Sequence, residues 1–181
     1  MVVPETEELL VPNGVYVLVK RFTAKEERRR VVATVFRPEG NLAGFPSVGF
    51  ENHLNYFHRN GGALDGALAE GLAVFLNSTL VDSYFRQFSG HTQVNATDLR
   101  SLRYPSKEQL YFLSGSVEAG TRDQPAIDAA VGAMIRRATV MAGLSSSRRR
   151  SILFKGSPSG GGRNAGFERE PVGRHTERRS S

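Results

Sequence analysis

Apolar residues recur at three- and four-residue intervals between positions 64 and 88. That spacing places them on one face of a helix, which must pack against another part of the protein. The stripe consists of Leu64, Leu68, Leu72, Phe75, Leu76, Leu80, Tyr84 and Phe88. Residues 77–79 (Asn-Ser-Thr) interrupt it with side chains that favour helix caps over helix interiors. The pattern therefore predicts two helices, or one kinked helix, over residues 64–88.

Two more helices are predicted downstream. Ser106 stands at a cap position with Gln109 three residues later, the spacing of a capping box, and opens a short helix over residues 106–113. Pro125 fits the first turn of a final helix over residues 125–143. Its apolar stripe is most simply explained by core packing: Ile127, Val131, Ile135, Ala138 and Met141.

Three stretches have the character of strands: residues 15–22, 31–36 and 48–57. The first is β-rich and apolar up to Lys20 and Arg21, so its end should emerge at the surface. A polar connection to residues 31–36 is most simply a hairpin. Strands and helices together predict a mixed α/β (α+β) domain over residues 14–144, with a small sheet flanked by helices.

Charge and composition divide the chain unevenly. The net charge is +6, and residues 145–181 hold nine of the 24 Lys and Arg but three of the 18 acids, so residues 1–144 are neutral overall. Residues 145–181 are rich in Ser, Gly and Arg and are predicted to form a disordered basic tail, whereas residues 1–13 are predicted to be a linker. Cysteine is absent, which excludes disulfides, thiol catalysis and cysteine zinc sites. No apolar run is long enough for a membrane span, and a cytoplasmic location is expected.

Basic residues are concentrated around the predicted hairpin. They are candidates for phosphate contacts, which position a protein on DNA without reading sequence. An equally good interpretation is a solvated turn in which Glu26 and Glu27 pair with the arginines. The candidates are Lys20, Arg21, Lys25, Arg28, Arg29 and Arg30.

Two polar segments carry short hydrogen-bonding side chains of the kind that contact base edges. One follows the long helical stripe, and the other lies in the segment 48–57. A loop without a DNA role has a similar composition. A metal site at His53 and His58 is disfavoured because a strand sends residues five apart to opposite faces. The candidates for base-edge or minor-groove contacts are His91, Gln93, Asn95, Asn52, His53 and Asn55.

Three motifs in order give a family resemblance. They are YVLVKRFTAKEERRRVVATVF at 16–36, GFENHLNYFH at 49–58 and FLNSTLVDSYFRQFSGHTQVNATDLRSLRYP at 75–105. Together these stretches resemble the C-terminal, target-recognising region of adenine-specific (N6) DNA methyltransferases from bacterial restriction–modification systems. The resemblance covers about residues 14–143. It implies a target-recognition-domain-like fold, binding to double-stranded DNA, and contacts to DNA from the polar segments.

Two features of such enzymes are missing from this sequence. Amino-group methyltransferases carry a Pro-Pro-aromatic motif that holds the flipped base, and no Pro-Pro dipeptide occurs here. No Gly-x-Gly lies between a strand and a helix, so no site for a cofactor is expected in this chain, and S-adenosylmethionine is expected in a catalytic domain located elsewhere. The expected function is sequence-specific DNA recognition that positions an adenine for a separate methyltransferase catalytic chain, and this polypeptide alone is expected to be inactive.

Other interpretations remain open from the sequence. The helices alone would suit a protein-interaction subunit that docks on a methyltransferase or specificity subunit. A truncated fragment without function is a further alternative. An unrelated hydrolase built from Asp82, His91 and Asp98 is disfavoured because Asp98 lies in an apparent helix cap and Asp82 lies within a helix.

Overall fold

The computed structural model describes residues 10–24, 26–88, 92–144 and 155–156. Its larger sheet has four antiparallel strands in the order β3-β2-β5-β6. A smaller antiparallel sheet pairs β1 with β4, and a 3-10 helix at Gly40–Gly44 precedes β4. The strands are β1 (Leu10–Pro12), β2 (Tyr16–Lys20), β3 (Ala33–Phe36), β4 (Ser47–Gly49), β5 (Leu54–His58) and β6 (Lys155–Gly156).

Five helices complete the described part of the chain. Their ends follow local sequence signals: Asp65 accepts a hydrogen bond from the Leu68 backbone N–H at 3.0 Å to cap the first, and the predicted Ser106–Gln109 capping box is present. The final helix begins one residue before Pro125, as its sequence indicates. The helices are α1 (Gly66–Leu76), α2 (Thr79–Phe88), α3 (Ala96–Ser101), α4 (Lys107–Ser114) and α5 (Gln124–Leu144).

Helix α1 lies at the centre of the core. One face of the larger sheet covers it with Val17, Val19 and Phe57, which alternate with outward-facing neighbours as the two-residue period of a strand requires. Helices α4 and α5 pack on its other sides. The predicted α+β class, with a small sheet and flanking helices, is confirmed. None of the described helices is long and apolar enough to cross a membrane.

The break at Asn77 changes which residues of the long stripe are buried. Leu68, Leu72 and Leu76 are buried in α1, as predicted. Beyond the break the prediction is wrong, because Leu80 and Tyr84 are 50% and 48% exposed. A new helix starts at Thr79 with its own rotational phase, and it turns Val81, Asp82 and Phe85 inward instead.

A similar error affects α5. Ile127 and Val131 are buried as predicted, but Ile135 is 43% exposed, and Ala130 and Met134 are buried in its place. The buried face thus follows i, i+3, i+4 and i+7 from Ile127, and ends about three turns into the helix, at Met134. The side chain of Met141 lies outside the described residues.

The predicted strand over 48–57 is two strands in two different sheets. Between them the chain turns at Asn52 and His53, where the Leu54 N–H donates to the Glu51 carbonyl at 3.0 Å. Residues 10–12, predicted as part of a linker, form β1, and residues 155–156 of the predicted tail form β6 against the edge of β5. The remainder of both predicted segments, residues 1–9, 145–154 and 157–181, lies outside the described residues.

Candidate nucleic-acid interface

Three polar segments that are distant in sequence meet at one end of the larger sheet. The chain leaving β2 continues beside the turn before β5, where the Arg21 N–H donates to the His53 carbonyl at 3.0 Å. On its other edge it runs antiparallel to residues 92–94, with Phe22 opposite Gln93. We call Arg21, Phe22, Asn52, His53 and Gln93 the sheet-end cluster.

Backbone hydrogen bonds fix the position of the third segment. The Val94 N–H donates to the Arg21 carbonyl at 2.7 Å, and the Thr23 N–H donates to the Thr92 carbonyl at 3.1 Å. From inside the sheet, the Asn55 amide donates to the Val94 carbonyl at 2.7 Å. The segment that follows α2 is therefore attached to the sheet as a short extra strand, and its polar side chains are brought to the ends of β2 and β5.

The guanidinium of Arg21 connects the members of the cluster. Its Nη1 donates to the Asn52 carbonyl at 3.2 Å, and its Nη2 donates to Oε1 of Gln93 at 3.5 Å. The guanidinium carbon lies 5.6 Å from the centre of the Phe22 ring, within cation–π distance. Arg21 is half-buried in this arrangement and holds two loops together.

Phe22 is a surface member of the cluster that the sequence interpretation did not include. Its side chain is 40% exposed and meets the His53 ring edge-to-face, with centroids 5.0 Å apart. His53 in turn lies 3.1 Å from Oε1 of Glu51 through its Nδ1. A large apolar residue directly after the basic end of a strand was the only available signal, and it is a weak one because single exposed apolar residues are common.

Two of the predicted base-contact residues belong to the scaffold behind the cluster. Asn55 is fully buried, and its amide nitrogen is used by the Val94 carbonyl. Asn95 is the N-cap of α3, and its backbone N–H donates to the Asp98 carboxylate at 3.3 Å in a capping box. These positions leave Asn52, His53 and Gln93 at the surface of the cluster, whereas His91 lies outside the described residues.

The predicted basic cluster is divided by the structure. Arg30 is 1% exposed, its Nε donates to the Thr23 hydroxyl at 3.1 Å, and its guanidinium lies 5.9 Å from the Phe85 ring centre. Arg29 donates to the Asn77 carbonyl and to the Thr79 hydroxyl, and burial lowers the pKa of its guanidinium. Both arginines therefore attach the β2–β3 connection to the helices.

Two further cations of this connection, Lys20 and Arg28, lie at the surface. Lys20 pairs with Glu27 at 3.0 Å. The alternative prediction is that the glutamates pair with the arginines, whereas Glu27 pairs with a lysine. The hydrogen bond from Lys20 is the main reason why the pKa of Glu27 is lowered. Arg28 is exposed, and Lys25 lies outside the described residues.

Asp82 is the anchor for this connection on α2. Its Oδ1 accepts from the Arg30 backbone N–H at 2.6 Å, and its Oδ2 accepts from Nε of Arg86 at 2.8 Å. Burial acts to raise the pKa of the carboxyl, but these hydrogen bonds outweigh it and the pKa is lowered. A carboxylate held ionised by donors on two elements acts as a structural anchor between them.

Comparison with known proteins identifies two curated relatives, whereas no family model and no solved structure matches the chain. The chain is 58% identical over 123 residues to the Type II methyltransferase M.PstI of Providencia stuartii, a match that covers 68% of this chain and 24% of that protein. It is 54% identical over 109 residues to the Type II methyltransferase M.BsuBI of Bacillus subtilis, covering 60% of this chain and 21% of that protein. The chain thus spans about a quarter of the length of the curated relatives that it matches. The predicted resemblance to restriction–modification methyltransferases is confirmed at the level of Type II methyltransferases.

Proposed function

We propose that this chain carries a DNA-recognition part of an adenine-specific, restriction–modification DNA methyltransferase. In this proposal it binds a short duplex sequence and positions a target adenine for a catalytic domain. The protein would act in the bacterial cytoplasm, where the DNA is located. Because the chain spans about a quarter of its relatives, methyl transfer itself is assigned to a part that these residues do not provide.

The observation that carries the proposal is the convergence of three polar segments at the sheet end. Asn52, His53 and Gln93 offer amide and imidazole groups at the surface, on a platform fixed by backbone hydrogen bonds. Such groups recognise base edges when they are presented on a rigid element, because a fixed geometry discriminates between donor and acceptor patterns. Phe22 adds an apolar surface suited to a thymine methyl group or a sugar.

Phosphate contacts would come from the exposed cations that flank this platform. Arg28 is exposed, and Lys20 remains 48% exposed in its pair with Glu27. A surface pair of this kind contributes little to stability, so Lys20 can exchange its partner for a phosphate at small cost. Lys25 and His91 stay candidates by their positions next to these residues in the sequence.

The methyl donor S-adenosylmethionine does not fit the described residues. A nucleotide-like cofactor is held at the carboxyl ends of parallel strands, at a glycine-rich turn that leads into a helix. Every described strand pairing in this chain is antiparallel, and the connection from β5 to α1 contains Gly61 and Gly62 without a Gly-x-Gly. We therefore assign no step of methyl transfer to this chain.

Selection of bound sequences tests the proposal. The full chain is incubated with a pool of random DNA duplexes at two salt concentrations, and the bound fraction is sequenced. We expect one short consensus, which Gln93→Ala weakens and Asn41→Ala, an exposed amide in the 3-10 helix, leaves unchanged. A folded wild-type chain that enriches no sequence would refute autonomous recognition.

A second candidate function is docking on another protein. Exposed apolar side chains on two helices favour it: Leu80 and Tyr84 on α2, and Ile135 and Val140 on α5. Salt separates the two functions, because each phosphate contact contributes a log–log slope of about −0.9 whereas an apolar interface depends weakly on salt. Steep loss of binding with salt supports DNA recognition, and salt-independent binding to a methyltransferase chain supports docking.

A further inference from the structure

Arg21 differs from the other cations near the sheet-end cluster because both terminal nitrogens of its guanidinium already donate hydrogen bonds within the protein. Nη1 donates to the Asn52 carbonyl at 3.2 Å and Nη2 donates to Oε1 of Gln93 at 3.5 Å. Nε is buried without a partner among the described residues. A phosphate would have to displace at least one of these contacts to pair with Arg21.

The contact between Arg21 and Gln93 determines the orientation of the Gln93 amide as well as its position. A guanidinium carries only donors, so the atom of the Gln93 amide that faces it must be the oxygen. The amide nitrogen of Gln93 is then left with two N–H donors, and no acceptor for them occurs within the described residues. Gln93 is half-buried, and the end of its amide that remains for a ligand is the donor end.

We infer that Arg21 is a positioning residue that orients Gln93 as a hydrogen-bond donor toward DNA, and that it is not a phosphate contact. This inference rests on the proposed function and deepens it. A Gln that is free to use both ends of its amide recognises adenine through paired contacts to N6 and N7. With its oxygen turned toward Arg21, Gln93 presents its amide nitrogen to DNA and favours an edge that offers acceptors, such as guanine N7 and O6, thymine O4, or the acceptors in the minor groove.

Because arginine carries a planar, forked guanidinium, replacing Arg21 with lysine distinguishes a positioning residue from a phosphate contact. Arg21→Lys keeps the positive charge but cannot bridge the Asn52 carbonyl and the Gln93 oxygen with one planar group. A phosphate contact would tolerate this change, whereas a positioning residue would not. Arg122→Lys is the matched control, because Arg122 is exposed in the loop before α5 and belongs to none of the segments assigned to DNA contacts.

The test measures binding of the full chain to its enriched duplex and to a scrambled duplex, across a series of salt concentrations. For Arg21→Lys we expect the ratio of specific to non-specific affinity to fall roughly 5- to 100-fold, the range of one good base contact. The slope of log affinity against log salt should stay as in the wild type, and Arg122→Lys should change neither quantity. In Arg21→Met the slope should again be unchanged, whereas losing a phosphate contact would reduce it by about 0.9.

Two outcomes would overturn the inference. One is an Arg21→Lys protein that discriminates like the wild type. The other is an Arg21→Met protein whose salt slope is reduced by about 0.9 while its sequence preference is retained. Both leave the proposed function intact, since the wild-type chain still enriches a sequence.

A measurement without DNA checks the orientation independently. The side-chain amide resonances of Gln93 in a ¹⁵N-labelled full chain, assigned by their loss in Gln93→Ala, should shift in Arg21→Lys and stay in place in Arg122→Lys. Unshifted resonances would overturn the contact on which the inference depends. If the wild type enriches no sequence but the resonances shift, the proposed function fails while the Arg21–Gln93 contact is upheld.

Discussion

Asn77 pairs with both backbone groups of Ala33 as a neighbouring strand would. Its Oδ1 accepts from the Ala33 N–H at 2.9 Å, and its Nδ2 donates to the Ala33 carbonyl at 2.8 Å. Ala33 begins β3, which is the edge strand of the larger sheet, so these groups have no strand partner on that side. The residue that interrupts the helical stripe therefore also attaches the α1–α2 junction to the sheet.

Asn77→Ala should destabilise the protein by about 1–3 kcal/mol, because it leaves two backbone groups of an edge strand without their partner. Asn77→Asp keeps an acceptor for the Ala33 N–H but places an oxygen against the Ala33 carbonyl, so it should be destabilising as well. Urea unfolding followed by circular dichroism measures both. Asn41→Ala, an exposed amide, should stay within about 0.5 kcal/mol of the wild type. An Asn77→Ala protein as stable as that control would show that the pairing contributes nothing.

Gly71 lies where α1 crosses α4 at close range. A Cβ at this position would be 1.9 Å from the Leu110 carbonyl oxygen, which is backbone and cannot rotate away. Gly71→Ala should therefore destabilise the protein by about 3 kcal/mol or more, despite the better helix propensity of alanine.

Gly132 in α5 provides the opposite case. A Cβ there would meet only the end of the flexible Arg136 side chain, at 3.2 Å. Gly132→Ala should stabilise the protein by up to about 1 kcal/mol through helix propensity. Chemical unfolding of the two variants side by side is the measurement, and equal effects of the same sign would contradict the crossing geometry.

Asp82 should give the fold a dependence on acid pH. Because the pKa of its carboxyl is lowered in the folded state, its contribution is fully present above the unfolded value near 3.8 and is lost as pH falls through the folded value. Asp82→Asn should be less stable than the wild type by about 2 kcal/mol at pH 7, and this difference should shrink below pH 3.8. Urea unfolding at a series of pH values measures it, with exposed Asp123→Asn as the control. A difference that is constant with pH would show that the carboxylate charge is not involved.

Asn95 and Gln93 are two residues apart, yet we expect substitution of Asn95 to lower stability and substitution of Gln93 to change DNA recognition. Asn95→Ala removes the N-cap of α3 and should cost about 1 kcal/mol of stability while the bound consensus stays the same. Gln93→Ala should alter the consensus with little loss of stability, since the side chain makes one long hydrogen bond within the described residues, from Arg21 at 3.5 Å. Thermal unfolding and sequence selection, applied to both variants, check this pair. The same phenotype in both would mean that the loop acts as a unit.

Features that depend on neighbouring residues were predictable from the sequence. The capping box of Ser106 and Gln109 arises from side chains that bond backbone groups three residues away, and at the break Ser78 bonds the Phe75 carbonyl and the Val81 N–H in the same way. The start of α5 follows from the fixed φ of Pro125. The β2–β3 hairpin follows from two β-rich stretches joined by a polar connection. These interactions need no partner from elsewhere in the chain, so their sequence patterns are sufficient.

The rotational phase of each helix and the direction of each charged side chain were decided by the tertiary structure. Leu80 and Leu76 appear equivalent in the stripe, yet the new helix after the break points Leu80 to the surface. Arg28 and Arg30 are two residues apart in one basic run, and only the position of Asp82 and Phe85 on α2 determines that Arg30 is buried. Composition cannot distinguish them, because the Asp82 carboxylate that accepts the Arg30 backbone N–H and the Phe85 ring beside the Arg30 guanidinium lie about fifty residues away.

By itself, the sequence determined the main helices, the β2–β3 hairpin, the mixed α+β class and the polar residue types at the candidate interface. It did not predict β1, β6 or α3, or the division of residues 48–57 into β4 and β5. The tertiary structure alone decided that Arg21, Asn52, His53 and Gln93 meet at one end of the sheet while Asn55 and Asn95 stay behind it. The physical reason is that the meeting depends on backbone hydrogen bonds between distant segments, such as that from Val94 to Arg21. Such bonds are made by backbone N–H and C=O groups, which nearly every residue carries, so no side-chain pattern along the chain predicts them.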